Sequence, residues 1–362
     1  MKKELSTLEI GQLVREFQFL VNARFEKIYQ SLKKEFVFKI HYSGGSTFLK
    51  IGNKFIFLSN EKGNVPETPS SFCTVLRKSL EGKKIRKVWQ KNSERIILFE
   101  TDKNILMAEL FGQENIVLCD SEYNVIAASR IQKEGRIINR GEKYQFPEEK
   151  TNIFKISEAE FSEIVKSSEQ EIVKTLARLI GGTYSEEICL RAGIDKNSKK
   201  ISGDEIKKLY QSFVSLLGEE SAPMVIFDKD VPSDAVIFDL KINEGKNKVL
   251  FSNFYESLDS YLAQAVIKEK ESEAERRYNS QIEKIENIIR IQEKTISELR
   301  EEAEKNQKAG ELIYEKYAEI SKLMKELEEA RKKMSWQEIK SKVKNKKVSS
   351  IDEKNSSITV DI

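Results

Sequence analysis

"FVFKIHYSGGSTFLKIGNKFIFLS", residues 36–59, sets the class of the fold. It divides into "FVFKIHY", "STFLKIG" and "KFIFLS", runs rich in β-branched and aromatic residues in which apolar positions alternate. Gly44-Gly45 falls between the first two as a turn, so the segment reads as an antiparallel meander. Upstream, residues 5–30 read as a helix and then a strand. Leu5, Leu8, Leu13, Phe17 and Leu20 recur at near-helical spacing, and Ser6-Thr7 with Glu9 has the form of an N-terminal capping box. Downstream, "PETPSSFC" (66–73) breaks the chain and starts a helix at about 70–80. The runs "IRKVWQ", "RIILFE", "ILMAEL", "NIVLCD" and "VIAASR" then continue the strand pattern. Sequential hairpins of this kind give an antiparallel sheet or sandwich.

Beyond Pro147 the periodicity changes. Residues 157–166 and 169–181 each carry an apolar stripe at helical spacing. "LARLIGGTYSEEICLRAGID" (176–195) reads as helix, Gly181-Gly182, helix, Gly193. That order resembles a helix-hairpin-helix, whose glycines let backbone amides approach a phosphate beside a helix N-terminus. A helix C-cap followed by an ordinary packed helix accounts for the same residues, and both readings stay open. "MVIFDKD", "AVIFDLKI" and "KVLFSNF" are three more short strands within 224–254. A long charged helix then begins near Leu258. Tyr278, Ile282, Ile285, Ile289, Ile296 and Leu299 keep alternating four-three spacing, with Gln292 in the missing slot, which is a coiled-coil seam. A second register runs through Ile313, Tyr317, Ile320, Met324, Leu327 and Met334, broken by Arg331. "KNQKAG" (305–310) carries the only glycine of this region and is one candidate hairpin turn; the first arm is much longer than the second, so a bend elsewhere, or another chain facing the seam, stays open. The expected fold is therefore α+β. Residues 1–150 form the opening portion of a β-rich N-terminal domain, and 151–222 a helical region with the helix-hairpin-helix. Returning strands of the N-terminal domain (223–256), an antiparallel coiled-coil arm (257–347) and a terminal strand or tail (348–362) complete the chain.

Composition excludes several classes. Lys and Arg total 62 and Asp and Glu total 59, so the net charge of +3 says little and the distribution of charge must be read instead. With one histidine and no paired-cysteine motif, no metal or cofactor is expected. Cys73, Cys119 and Cys189 each lie among apolar neighbours and read as buried free thiols. No P-loop, Gly-x-Ser-x-Gly elbow or His-Glu-x-x-His occurs. His41 lies inside a strand run and reads as a packing or surface residue. No apolar run approaches the roughly 20 residues of a membrane span, and the N-terminus lacks a secretory core. The chain reads as a cytoplasmic binding module with no catalytic residues and no membrane contact.

Two stretches concentrate positive charge. Residues 71–100 hold Arg77, Lys78, Lys83, Lys84, Arg86 and Lys87 against one nearby acid, Glu81, and end in Glu94-Arg95 before an apolar strand. "RKKMSWQEIKSKVKNKK" (331–347) holds eight basic residues and one acidic, Glu338. Such runs are commonly solvated faces; in a nearly neutral chain, polyanion binding competes with that reading. The final "SSITVDI" alternates like a strand but has no following strand to pair with.

In their order and spacing, "LSTLEI", "PETPSSFCTVLRKSLEGKKI", "ERIILFE", "FGQENIVLCD", "LARLIGGTYSEEICLRAGID", "FSNFYESLDSYL", "AGELIYEKYAEI" and "MSWQEIKSKV" resemble the NFACT family of ribosome-quality-control proteins, the RqcH and NEMF type. The resemblance spans nearly the whole chain. It implies an N-terminal domain similar to the formamidopyrimidine-DNA glycosylases, then a helix-hairpin-helix and a coiled-coil middle. Those glycosylases rely on an N-terminal proline; Lys2 stands at the second position here, so that chemistry does not carry over. The resemblance further implies a factor that binds an obstructed large ribosomal subunit with its peptidyl-tRNA. It recruits a tRNA, mainly alanyl, for mRNA-independent C-terminal tailing, while the ribosome itself makes the peptide bond. The family motif maps its tRNA-binding acid and acid–Arg pair onto Glu9, Glu94 and Arg95. The family has Asp at both acidic positions, so both side chains are one methylene longer here. Arg77, Lys78, Lys83, Lys84, Arg86, Gly181 and Gly182 become the expected RNA phosphate contacts. The family also carries a C-terminal NFACT-R domain, which is expected as a separately encoded partner, with the end of the chain docking it. Competing readings are a DNA-binding protein with a non-catalytic glycosylase-like fold, an adhesin, and a reduced adaptor for tRNA or ribosome.

Overall fold

The computed structural model describes residues 2–31, 35–66, 68–148, 151–336, 338–339, 348–352 and 357–360. The chain divides into two compact units, Met1–Glu271 and Ser272–Ile362.

In the first unit, helix α1 (Thr7–Glu16) is closed at its start by the expected capping box: Ser6 accepts from the Glu9 amide and Glu9 accepts from that of Ser6. A short 3₁₀ turn follows (Phe17–Leu20). Strands β1 (Arg24–Gln30), β2 (Phe36–Tyr42), β3 (Gly45–Gly52) and β4 (Phe55–Ser59) form a four-stranded antiparallel meander in chain order. The β2–β3 turn is built on Ser43-Gly44, with Tyr42 opposite Gly45. The β3–β4 turn is Asn53-Lys54, both at positive φ (52° and 63°), the combination that matches strand twist in a two-residue hairpin.

Helix α2 (Ser71–Leu80), capped by Ser70, buries Cys73, Leu76 and Leu80. Strands β5 (Lys87–Gln90), β6 (Ile96–Glu100), β7 (Asn104–Glu109), β8 (Asn115–Asp120) and β9 (Val125–Ala128) form a second meander, also in chain order. Its central strands are apolar without alternation because both faces are covered. Ile97, Phe99, Leu106 and Leu118 join the main core, whereas Ile96, Leu98, Ile105, Met107 and Val117 join a second core closed by Ile138 and Tyr144.

Helices α3 (Glu158–Ser167), α4 (Ile172–Ile180), α5 (Gly182–Ala192) and α6 (Gly203–Leu217) follow. The serine–glutamate capping box recurs at α3 (Ser157, Glu160) and α6 (Ser202, Glu205). Strands β10 (Met224–Asp228), β11 (Val231–Val236) and β12 (Asn247–Leu250) make a three-stranded sheet in the order β11-β10-β12. The strand expected over "AVIFDLKI" therefore ends at Val236. Ile237, Phe238 and Leu240 are buried in the main core outside any ladder, which an apolar run alone does not distinguish from a strand.

Helix α7 (Phe254–Glu315) begins four residues earlier than expected, where Glu16 accepts the amides of Phe254 and Tyr255. The hairpin expected at 305–310 does not form. The helix runs through Gly310, and the only interruption before α8 (Tyr317–Arg331) is Lys316, which still makes helical bonds on both sides, to Leu312 and from Ile320. One glycine costs a helix only about 1 kcal/mol, too little to stop a long ladder. The seam residues are exposed on α7: among the described residues, Ile282, Ile285, Ile289, Ile296 and Leu299 meet no antiparallel second arm. At the far end of α8, Leu327 and Ile339 form a small core with Met334, Trp336 and Val348. Strand β14 (Ser357–Val360) is not partnerless: it pairs antiparallel with β13 (Val348–Asp352). Most of the basic run 331–347 lies outside the described residues.

Candidate functional site

The first unit holds a cavity of about 1010 Å³ between the start of α1, the turn before β6, the end of β7 and the α4–α5 junction. Glu9, Glu94, Arg95, Gly181 and Gly182, separated by up to 173 positions in the chain (182 − 9), all line it.

Its floor is a buried ionic cluster. Lys2 Nζ donates to Glu9 Oε1 at 2.6 Å and to Asp234 Oδ1, from β11, at 2.9 Å. Tyr184 Oη, from α5, donates to Glu9 Oε1 at 2.8 Å and accepts the Ile237 amide, and Thr183 donates to Asp234 Oδ2 at 3.0 Å. The Lys2 backbone amide donates to Tyr261 Oη at 2.6 Å. Burial opposes the charge on Lys2, but Glu9 and Asp234 outweigh it and hold the ammonium pKa above its ordinary value. Burial and the neighbouring carboxylates push the Tyr184 hydroxyl well up, so it stays a donor. Glu9 is fully buried and contacts only protein groups.

One wall is the turn before β6. Arg95 Nη1 pairs with Glu4 Oε1 at 2.6 Å and donates to Leu5 O, and Lys54 Nζ pairs with the other Glu4 oxygen at 2.9 Å. Burial works against the Glu4 carboxylate, yet the bonds from Lys54 and Arg95 hold its pKa below the usual range. Glu94 is buried beside Arg95. The opposite wall is the α4–α5 junction. Gly181 takes φ +93°, and a Cβ there would lie 2.7 Å from Ser6 Cβ, so the close approach of α5 to the α1 cap needs glycine. Gly181 offers α5 no side-chain cap. The first-turn amides of α5 lack intrahelical acceptors and carry the positive end of the helix dipole. Arg178 and Lys3 are exposed along the same cavity. The single Lys2 ammonium leaves one carboxylate charge of the Glu9–Asp234 floor unbalanced, and the positive groups facing the cavity are the α5 amides, Arg178 and Lys3.

The expected phosphate contacts on α2 and after it do not line this cavity. Lys78, Lys83 and Lys84 are exposed, but Arg77 Nε is spent on Ile28 O at 2.7 Å and Arg86 pairs with Asp102 at 2.6 Å. Sequence reading missed Lys2, Glu4, Arg178, Tyr184 and Asp234 as members of the site. Only the position of Arg178, three residues before the Gly181-Gly182 turn, offered a signal. Among the described residues no group of three or more His, Cys, Asp or Glu side chains is placed to hold a metal, and no helix is long and apolar enough to cross a membrane.

Two antiparallel meanders followed by a four-helix insertion define an α+β fold, as expected. The same fold occurs in the N-terminal portion of the fibronectin/fibrinogen-binding protein of Streptococcus suis (TM-score 0.58, 22% identity, 71% of this chain and 98% of that one). It occurs again in the fibrinogen-binding protein of Staphylococcus aureus (TM-score 0.58, 20% identity, 70% and 97%). The chain belongs to the NFACT family: the family model described as the NFACT N-terminal and middle domains matches residues 6–356. It is 35% identical to the archaeal Rqc2 homolog aRqcH of Methanocaldococcus jannaschii over a 370-residue alignment, covering 96% of this chain and 55% of that protein. It is 26% identical to the homolog RqcH of Streptococcus pneumoniae over 319 residues (81% and 54%). It is 24% identical to ribosome quality control complex subunit 2 of Saccharomyces cerevisiae over 258 residues (66% and 24%). The chain thus spans about half the length of the archaeal and streptococcal relatives.

Proposed function

We propose that this chain is a cytoplasmic ribosome-associated quality-control factor, which binds the obstructed large ribosomal subunit with its peptidyl-tRNA and recruits a tRNA, alanyl-tRNA first among the candidates, for mRNA-independent tailing. Family membership and the names of its relatives support the role. The observation that carries the RNA reading is the uncapped α5 N-terminus facing one cavity with Arg178 and Arg95. Amides at a helix start and a guanidinium grip a phosphate without reading sequence. Bonds from Arg95 add direction. The chain positions RNA and contributes no covalent chemistry.

The test is tRNA retention on purified large subunits carrying peptidyl-tRNA. Arg178→Glu and Arg95→Ala are each expected to release tRNA while subunit binding persists, and Arg178→Glu lowers the salt slope by about one unit. Retention of tRNA by both variants at wild-type level overturns the cavity assignment. Tighter binding of duplex DNA than of tRNA or subunits overturns the ribosomal reading. Sequencing the bound RNA identifies the tRNA selected.

A further inference from the structure

A second cavity of the first unit, about 1120 Å³, lies between the β2–β3 hairpin, the 3₁₀ turn after α1, the loop following β4 and the first turns of α7. Three aromatic rings from three separate elements meet in it. Phe19 packs edge-on against Tyr42, centroids 5.1 Å apart, and lies 6.4 Å from Tyr255. Phe19 is 42% exposed, and the other two rings are half-buried.

The rings are held in place by the β2–β3 turn and by the start of α7. A Cβ on Gly44 would lie 2.6 Å from the Tyr42 ring, so glycine at this turn leaves the ring its position. Tyr255 is fixed through its amide to Glu16 and through its hydroxyl to Asn253 Nδ2. Among the described residues, acids outnumber bases along the groove. Glu35, Glu61, Glu256 and Asp259 line the groove against Lys50 and Lys62. Both lysines are occupied: Lys50 donates to Ser59 Oγ at 3.1 Å and lies over Phe57, and Lys62 lies over Tyr29. Glu61 and Glu256 are exposed.

We propose that this groove docks a basic segment of a protein partner, seating an arginine or lysine side chain on the Phe19–Tyr42–Tyr255 rings with its charge facing Glu256 and Glu61. Aromatic faces attract a desolvated cation, and the carboxylates repel nucleic-acid phosphate while they steer a basic peptide. The surface is separate from the cavity assigned to RNA, and the assignment does not depend on that reading.

The test is fluorescence anisotropy with the whole chain and a labelled peptide of alternating arginine and glycine at low ionic strength. The unmodified chain binds. Phe19→Ala and, at an exposed position that leaves the rings intact, Glu256→Lys each weaken binding roughly fivefold to tenfold. Replacing the peptide's arginines by uncharged citrulline abolishes it. Unchanged affinity in both variants, or equal binding of the citrulline peptide, overturns the proposal. So does displacement of the peptide by a single-stranded oligoribonucleotide that binds the Glu256→Lys chain more weakly than the unmodified one.

Discussion

Lys2 Nζ lies 2.6 Å from Glu9 Oε1, and both side chains are withdrawn from water. Removing one partner of a buried pair leaves the other uncompensated, at a cost of about 3–5 kcal/mol. Lys2→Met is therefore expected to lower stability by that amount in urea unfolding, and Lys2→Arg by less. The pair also sets a pH dependence. The folded pKa of Lys2 is raised above the unfolded value of about 10.4. Its contribution is complete below that pH and is lost as pH rises toward the folded pKa. The stability gap between unmodified chain and Lys2→Met should narrow above about pH 10.4; a gap that stays constant there contradicts the pairing.

The adjacent glycines of the α4–α5 junction should behave differently. Gly181→Ala combines a positive φ with a collision at Ser6, and is expected to cost about 1–3 kcal/mol in thermal unfolding. Gly182 faces open space at ordinary φ, so Gly182→Ala leaves the melting temperature unchanged or slightly raised. If the α5 amides hold phosphate, the added methyl group weakens tRNA binding all the same. A Gly182→Ala chain that melts and binds tRNA like the parent removes these amides from the interface.

The three cysteines should be silent in the folded chain. All are buried; burial raises the thiol pKa of Cys73, and pushes Cys119 to about 12 and Cys189 to about 11. At about pH 8 the thiolate fractions of Cys119 and Cys189 are then about 10⁻⁴ and 10⁻³. A thiol reagent should label none of the three until denaturant is added. Fast labelling of any one in native buffer would show that its surroundings open.

Ile285 and Ile289 are 57% and 47% exposed on α7. Ile285→Asp with Ile289→Asp is expected to change the unfolding of the first unit by no more than about 0.5 kcal/mol. The same change should weaken binding to the large subunit, if the seam is covered there. A large loss of stability in the isolated chain would mean that the seam already has a partner within it.

What could be read from the residues was local. The Ser6/Glu9 box spans three positions and formed as expected, and so did the two meanders, because hairpins are set by neighbouring turns. The Glu9 position and the Arg95 turn were flagged through family resemblance, and the cavity brings them together. Their partners were not legible. Lys2 finds Asp234 across 232 positions, and nothing in the local pattern of either residue encodes the match. Arg95 likewise meets Glu4 and the Leu5 carbonyl about 90 positions away, partners that its own turn does not reveal. Gly310 illustrates the converse limit: a composition signal suggested a turn, and the helical ladder on both sides overrode it.

The bond from the Lys2 amide to Tyr261 joins groups 259 positions apart. A ribosome adding about 5–20 residues per second needs roughly 10–50 s to make the second after the first. Within that interval the N-terminus waits for its partners in turn, first Tyr184, then Asp234, and last Tyr261. Helix α1 can form early on its own cap, but the Lys2 ammonium lacks its second partner until Asp234 emerges, and the Lys2 amide lacks its acceptor until Tyr261 does. A chain arrested after Asp234 but before Tyr261 therefore holds the ionic floor of the cavity without the bond that ties the Lys2 backbone to α7.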